Sequence, residues 1–177
     1  MALPIDTVRS LMQAADAVCF DVDSTVVQHE GIDELAAVCG VGEAVAAWTK
    51  KAMEGNTLFQ DSLKARLFLI QPSKKDIAKC LEPGLGLTTG VKELIQKMKD
   101  SGKDVYLVSG GFRQMIYPVG AEVGIPEDHV YANNILFDDK GDYAGFDDTE
   151  PTSRTGGKPK VIQELIAKGH KKCGYDR

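Results

Sequence analysis

Length, composition and charge are those of a soluble globular protein and exclude several classes of partner. The chain has 177 residues, of which 43% are hydrophobic and 27% charged, and this suits one domain with room for an insertion. Its 21 basic residues against 26 acidic residues give a net charge of −5, which does not favour nucleic acid or an anionic membrane as a partner. No stretch approaches the roughly 20 apolar residues of a membrane helix.

The N-terminal residues and the cysteines both favour a cytoplasmic protein. The first 18 residues predict a short amphipathic helix, and Asp6, Arg9 and Asp16 interrupt any signal-peptide core. The four cysteines are widely spaced and form no CxxC pair: Cys19, Cys39, Cys80 and Cys173. We therefore expect reduced thiols in the cytoplasm rather than a zinc site or a disulfide framework.

The first part of the chain predicts one strand followed by a run of helices. Ala17–Phe20 is short, apolar and partly β-branched, which is typical of a buried strand. Apolar residues at helical spacing then predict helices over residues 31–40, 44–55, 59–70 and 73–81. Ser73 is a candidate N-cap for the last of these. A helical block is therefore predicted between the first strand and the next.

From Gly90 onward, predicted helices and strands alternate. In chain order they are a helix over 90–102, a strand over 105–108, a helix over 111–123, a strand over 129–132, a β-hairpin of 135–137 with 143–146, and a helix over 157–168. Pro159 suits the first turn of the last helix. Such alternation predicts a parallel sheet in an α/β fold.

Two aspartates, Asp21 and Asp23, follow the first predicted strand. Side chains at i and i+2 of an extended segment point to the same face, so both carboxylates face one side if the extended geometry persists. Two unit charges about 4 Å apart repel by about 4 kcal/mol at an effective dielectric near 20. Either the pair is exposed to solvent, or it forms a functional site with a cation or a shared proton.

Polar and glycine residues at strand ends and helix starts predict a phosphoryl-transfer site. The candidates are Asp21, Asp23, Ser109, Gly110, Gly111 and Lys158. Ligands of parallel sheets bind at the carboxyl ends of the strands, and backbone amides next to glycine at a helix start favour an anion. A hard oxygen site favours magnesium, which would offset the carboxylate repulsion. Each motif alone is more often a loop, a turn or a surface lysine, and only the joint arrangement favours chemistry.

Several stretches carry a resemblance to the haloacid dehalogenase superfamily of aspartate-based phosphatases: FDVDST, LVSGGFR and GGKPKVI. Further stretches make the chain similar to the phosphoserine phosphatases of that superfamily: DSTVVQHEGIDELA, KKAMEGN, RLFLIQPS and YAGFDDTEPT. The resemblance runs from about residue 14 to about residue 170. It implies one α/β domain, with a parallel-sheet, Rossmann-like core at about 1–25 and 86–177 and a helical cap inserted at about 26–85.

The resemblance also implies an activity and roles for the strand-end residues. The expected reaction is hydrolysis of O-phospho-L-serine to serine and phosphate, the last step of serine biosynthesis, with Mg²⁺ as cofactor; the resemblance leaves a homodimer open. Asp21 is similar to the nucleophile that forms an aspartyl-phosphate, and Asp23 to the general acid and base. Asp21 would bind magnesium through its carboxylate, and Asp23 through its backbone carbonyl. The residues expected to hold the phosphoryl group are Ser109, Gly110, Gly111 and Lys158.

Residues of the expected cap are similar to those that recognise the rest of the substrate. Glu30 resembles the residue that binds the substrate ammonium, and Arg66 the residue that binds its carboxylate. Met53 and Phe59 resemble residues that shield the site. Taken without the resemblance, Met53 and Phe59 are more often core residues, and Arg66 would be interpreted as a surface charge.

The resemblance departs at residues 169–177. Related enzymes continue with a strand and a Gly-Asp-Gly-x-x-Asp loop, whose first aspartate completes the magnesium site. Residues 169–177 read GHKKCGYDR, which does not resemble that strand or loop, and Asp176 is not assigned the role. We therefore expect the last core strands to be missing, the first strand to be an exposed apolar edge, and magnesium binding to be weakened. Truncation, alternative splicing and a mispredicted gene each fit this pattern.

Two other functions compete with this expectation. The chain could be a catalytically impaired relative that acts as a binding or regulatory protein, since its magnesium site lacks an expected ligand. It could also hydrolyse another small phosphomonoester. The pairing of Glu30 with Arg66 argues against the last alternative, because a zwitterionic amino acid needs both charges.

Overall fold

The apolar run Ala17–Phe20 forms the strand β1 inside a parallel sheet, as its sequence predicts. The structure, a computed structural model, describes residues 4–54, 57–170 and 173–176, with side chains described for 4–50 and 57–170. Every residue of β1 is buried, which explains why the run is continuously apolar rather than alternating.

The described residues form eight α-helices and six strands. The helices are α1 (Ile5–Ala14), α2 (Gly31–Val38), α3 (Gly42–Glu54), α4 (Phe59–Ile70), α5 (Lys74–Leu81), α6 (Val91–Asp100), α7 (Arg113–Glu122) and α8 (Gly157–Ala167). The further strands are β2 (Asp104–Phe112), β3 (Val130–Asn133), β4 (Ile135–Phe137), β5 (Tyr143–Phe146) and β6 (Cys173–Asp176). The strands β4 and β5 pair as an antiparallel hairpin, as predicted.

The main sheet has the strand order β3-β2-β1-β6, with all neighbours parallel. Alternate residues of β1 face opposite sides, so Val18 and Phe20 pack on one face with residues of α6 and α7. Ala17 and Cys19 pack on the other face with Val161 and Leu165 of α8. The predicted parallel α/β fold is therefore confirmed, with helices covering both faces of the sheet.

The helices α2 to α5 form a helical block between β1 and β2 in the sequence. Its apolar residues share a core with the end of β2, the start of α7 and the hairpin; the buried members include Leu35, Val45, Leu63, Leu67, Ile77, Phe112, Met115 and Ile135. Ser73 caps α5 in a reciprocal capping box with Asp76, as its position predicts. Hydrogen bonds from the Ser73 hydroxyl and backbone lower the pKa of the Asp76 carboxyl.

The prediction of an exposed edge at β1 is wrong. Residues 173–176 form β6, which pairs with β1 in parallel register, from Ala17 opposite Cys173 to Phe20 opposite Asp176. The sequence CGYD gives little strand signal because it is short and contains glycine. The edge of β1 offers unpaired backbone groups that any extended segment can satisfy, and this tertiary context overrides local propensity.

Two further boundaries differ from the prediction. The helix predicted from residue 111 begins only at Arg113, because β2 continues through Ser109 and the two glycines to Phe112.

In the described residues, no helix is long and apolar enough to cross a membrane. Among the cysteines, Cys19 and Cys80 are buried, and Cys39 is partly buried.

Candidate active site

The segment after β1 places its two aspartates in one cavity. Asp21 follows Phe20 with an extended backbone, and its carboxylate Oδ1 accepts a hydrogen bond of 2.9 Å from the N–H of Val22. The chain then makes a short helical turn in which Ser24 adopts a positive φ of 55°. Both Asp21 and Asp23 line the cavity that this turn borders.

Lys158 is brought against Asp21 by the start of α8. Its Nζ donates to Asp21 Oδ2 at 2.6 Å, across 137 residues of sequence. Asp21 is only 7% exposed, so its charge would be poorly solvated without this partner. The ion pair therefore holds an ammonium group beside a carboxylate in the cavity lining.

Asp23 is held by the strand β2 and by the helical block. Its Oδ2 accepts the Ser109 hydroxyl at 2.9 Å, and its Oδ1 accepts the Gly31 N–H at 2.8 Å. The Ser109 oxygen in turn accepts the N–H of Gly111 at 2.8 Å. These bonds fix the Asp23 carboxylate at the point where β1, β2 and α2 meet.

The cavity has a volume of about 410 Å³, and its walls come from both parts of the molecule. The sheet and α8 contribute Asp21, Asp23, Ser24, Thr25, Gly110, Gly111 and Lys158, and the helical block contributes Glu30, Ile32, Phe59, Leu63 and Arg66. The ring of Phe59 lies against Gly110, where a Cβ atom would be 3.0 Å from the ring. A side chain at residue 110 would therefore require the Phe59 ring to shift.

The wall formed by the helical block carries one acidic and one basic side chain, Glu30 and Arg66. Glu30 Oε1 accepts the Ser24 hydroxyl at 2.6 Å, which ties this carboxylate to the turn after β1. Arg66 is half-buried, and its Nε donates to the carbonyl of Ser62 at 3.3 Å. Burial lowers the pKa of the Arg66 guanidinium, while the charges of Asp33 and Glu30 raise it.

Sequence reasoning missed Asn133, at the carboxyl end of β3. Its Nδ2 donates to the Gly110 carbonyl at 2.7 Å, and its Oδ1 accepts the Thr152 hydroxyl at 2.9 Å. Asn133 and Thr152 are both buried. The side chain thus holds the loop at the end of β2 against the loop that precedes α8. The strand-end rule that selected Asp21 would also have selected this asparagine.

The loop before α8 is anchored at two more points. Arg113 Nη2 donates to Glu150 Oε1 at 2.8 Å, and both side chains are mostly buried. Gly157 allows close approach of the chain, since a Cβ there would lie 1.8 Å from the Pro151 carbonyl oxygen. No residue other than glycine fits at that position, so Lys158 enters the cavity from a tightly constrained turn.

The structure brings together nearly all residues that the sequence selected. The lining includes Asp21, Asp23, Glu30, Arg66, Gly110, Gly111 and Lys158. Ser109 lies just behind the lining, fully buried and bonded to Asp23. The side chain of Met53 lies outside the part of the chain whose side chains are described. The roles of these residues remain predictions.

Comparison with known proteins identifies the family. The sequence-family model of the haloacid dehalogenase-like hydrolases matches residues 15–169, which is most of the chain. The chain belongs to the haloacid dehalogenase-like hydrolases. Within this family it is 49% identical over 164 residues to the chloroplastic phosphoserine phosphatase of Arabidopsis thaliana, and 47% identical over 163 residues to the phosphoserine phosphatase of Homo sapiens. The predicted resemblance is confirmed.

The alignments cover different shares of the two relatives' own lengths. Each alignment covers 92% of this chain, but it covers 56% of the Arabidopsis protein and 72% of the human protein. Among solved structures, a substrate-bound phosphoserine phosphatase superposes with a TM-score of 0.79 at 27% identity, over 91% of this chain and 76% of that chain. The chain therefore has the fold of that hydrolase and spans just over half of the first relative.

Phosphatases of this family generally use a divalent metal. The described lining offers hard oxygen donors of the right class, and its three carboxylates outnumber its two cationic side chains. All four oxygens of Asp21 and Asp23 already accept protein hydrogen bonds. Among the described residues, no three His, Cys, Asp or Glu side chains are grouped to hold a metal ion. The described residues thus make an incomplete metal site.

We expect Asn133→Ala to lower the free energy of unfolding more than the neighbouring substitution Asn134→Ala does. The first leaves the Gly110 carbonyl and the Thr152 hydroxyl without their buried partner, at a cost of about 2–4 kcal/mol. Urea unfolding monitored by circular dichroism measures this difference. Asn134 accepts a partly buried hydrogen bond from Gln114, so it is the matched control. Equal losses in both variants would contradict a bracing role for Asn133.

Proposed function

We propose that the chain hydrolyses O-phospho-L-serine to L-serine and inorganic phosphate. One observation carries the proposal: a single cavity is lined by Asp21, Asp23 and Lys158 from the sheet and α8, and by Glu30 and Arg66 from the start of α2 and from α4. A substrate with a phosphate at one end and an amino acid at the other needs charges of both signs at separated places. The names of the relatives support the same substrate.

Asp21 is the proposed nucleophile. One of its carboxylate oxygens attacks phosphorus, the bond from phosphorus to the serine oxygen breaks, and an aspartyl-phosphate forms. The Lys158 ammonium, 2.6 Å from Asp21 Oδ2, would then lie beside the phosphoryl oxygens and stabilise their charge. Ser109, Gly110 and Gly111 would hold the same phosphoryl group from the end of β2.

Asp23 is the proposed general acid and base. It gives a proton to the departing serine oxygen, and then takes a proton from the water that attacks the aspartyl-phosphate and releases phosphate from Asp21. Its bonds to Ser109 and Gly31 fix the carboxylate in one orientation. This arrangement accounts for two aspartates spaced by one residue, since one must attack phosphorus while the other reaches the leaving group.

Glu30 and Arg66 are the proposed recognition residues. The Glu30 carboxylate would bind the substrate ammonium, and the planar Arg66 guanidinium would bind its carboxylate through two parallel hydrogen bonds. In this proposal residues 26–85, which include the helical block, act as a cap over a core formed by residues 1–25 and 86–177. Phe59, and Met53 in the same segment, would exclude water from the reaction.

Magnesium is the proposed metal, held by the Asp21 carboxylate and the Asp23 backbone carbonyl. When bound it would neutralise charge on the phosphoryl group. We propose a cytoplasmic location because the four cysteines are widely spaced in the sequence and form no CxxC pair. The resemblance is compatible with a homodimer. Analytical ultracentrifugation of the purified chain would show whether it forms one.

A second candidate is a catalytically impaired relative that binds the same small molecule or another copy of the enzyme. The incomplete set of acidic side chains around Asp21 and Asp23 in the described residues favours it. The two candidates share the cavity and differ in turnover. Phosphate release therefore separates them.

One prediction of the proposed function concerns turnover. Purified chain should release phosphate from O-phospho-L-serine with magnesium and lose that activity in excess chelator. Asp21→Asn should lower kcat by at least about a thousandfold, because the nucleophile is lost. Asp139→Asn, an exposed position in the β4–β5 turn, is the matched control and should keep full activity. Binding without any turnover in a folded sample would favour the second candidate.

Another prediction of the proposed function concerns substrate recognition. Arg66→Lys keeps the charge but loses the two-pronged geometry, so KM for O-phospho-L-serine should rise about tenfold or more. KM for phenyl phosphate, which has no carboxylate, should change less than about twofold. Arg9→Lys on the exposed face of α1 is the matched control. A parallel rise in both KM values would mean that Arg66 supports the fold rather than the substrate.

A further inference from the structure

The helix α4 lacks a cap from its own sequence. The first N–H groups of any α-helix have no partner within the helix, and a side chain at the N-cap position commonly satisfies one of them. Leu58, the described residue at that position, offers no side-chain hydrogen bond. The N–H of Phe59 instead donates to the hydroxyl oxygen of Thr155 at 3.1 Å, which is 96 residues away in the sequence.

Two further hydrogen bonds make this contact reciprocal. Gln60 Oε1 accepts the backbone N–H of Thr155 at 3.2 Å and the Thr155 hydroxyl at 3.3 Å. A hydroxyl can donate one proton and accept through its lone pairs, so all three bonds are compatible. We call this group, formed by Phe59, Gln60 and Thr155, the α4 latch.

The α4 latch joins the helix that carries Arg66 to the loop that leads to Lys158. Thr155 lies three residues before Lys158, in the loop that leads into α8. Next to the latch, the Phe59 ring lies against Gly110, and Arg66 follows on the same helix. Because α4 is a rigid element, its docking at Thr155 sets how far Arg66 stands from Lys158.

We propose that Thr155 is a positioning residue that holds the recognition helix α4 at the distance required by a substrate spanning both walls. Neither Thr155 nor Gln60 is among the described residues that line the cavity, so both would act through α4. The inference rests on the proposed function, because it assumes a phosphate near Lys158 and a carboxylate near Arg66. It extends that function by assigning substrate selection to a residue outside the cavity.

The chemistry of the latch suits a contact that opens and closes. Its three hydrogen bonds are exposed, and exposed neutral hydrogen bonds contribute little each. A substrate bound at both ends would add its own bridge across the same gap and so favour the closed arrangement. After hydrolysis that bridge is cut, and the weak latch alone allows the helix to move away and release the products.

The test combines kinetics with amide hydrogen exchange in three variants of the full chain. Thr155→Ala removes the hydroxyl, and Thr155→Ser keeps it as the conservative rescue. Thr149→Ala is the matched control, since the Thr149 hydroxyl donates to Asp147 in its own exposed loop. KM and kcat are measured for O-phospho-L-serine and for phenyl phosphate, and the exchange rate of the Phe59 amide is measured by NMR.

The expected result is a selective loss. Thr155→Ala should raise KM for O-phospho-L-serine about three- to tenfold, change KM for phenyl phosphate less than twofold, and speed exchange of the Phe59 amide several-fold. Thr155→Ser and Thr149→Ala should match the parent chain. If Thr155→Ala matches Thr149→Ala in exchange and in KM, or raises both KM values equally, the positioning role is wrong.

The same design separates failure of this inference from failure of the proposed function. A parent chain that hydrolyses neither substrate would overturn the proposed activity. Substrate binding would then be measured by calorimetry in place of KM. A Thr155→Ala chain that binds O-phospho-L-serine as tightly as the parent, with unchanged Phe59 exchange, would overturn the latch. Weaker binding and faster exchange that Thr155→Ser restores would support it.

Discussion

The ion pair between Asp21 and Lys158 is the interaction on which the site depends. A carboxylate at the end of a buried strand is costly unless a partner offsets the loss of water, and Asp21 is nearly inaccessible to solvent. Its partner comes from the start of the last helix of the sheet layer. The strands and helices between them must therefore be assembled before the cavity has its charges in place.

Around this pair the two parts of the molecule have different tasks. The ends of β1, β2 and β3, braced by Ser109 and Asn133, present the groups suited to phosphoryl transfer. The helical block and the residue that precedes it bring a guanidinium and a carboxylate to the same cavity. A rigid sheet edge suits chemistry that tolerates little displacement, and a separate block suits recognition that must open to admit the substrate.

Much of this could be predicted from the sequence, because the signals are local. The apolar run before Asp21, the spacing of α4 and the residues of the hairpin each determine their element. The rules for strand ends and helix starts selected Asp21 and Lys158 for one site. What could not be predicted depends on distant neighbours. CGYD becomes a strand only because β1 offers it a partner. Thr155 caps α4 only because the fold brings residues 59 and 155 together.

The C-terminal residues show how far a resemblance can mislead. The expected strand and acidic loop of related enzymes are not recognisable in GHKKCGYDR, and from this the sequence predicted an unprotected edge. The structure instead fills the position beside β1 with residues 173–176. Strand pairing requires backbone groups rather than particular side chains, whereas a metal ligand requires a particular side chain. A strand can therefore pair with β1 although the described residues provide no group of three acidic side chains for a metal ion.

The most direct measurement traps the covalent intermediate. The chain is mixed with O-phospho-L-serine carrying a radioactive phosphate, quenched in acid within milliseconds, digested and mapped by mass spectrometry. An acyl-phosphate survives brief exposure to acid, so we expect label on the peptide that contains Asp21, and none in an Asp21→Asn chain. Label on a different residue, or turnover with no covalent label, would contradict the central role given to Asp21.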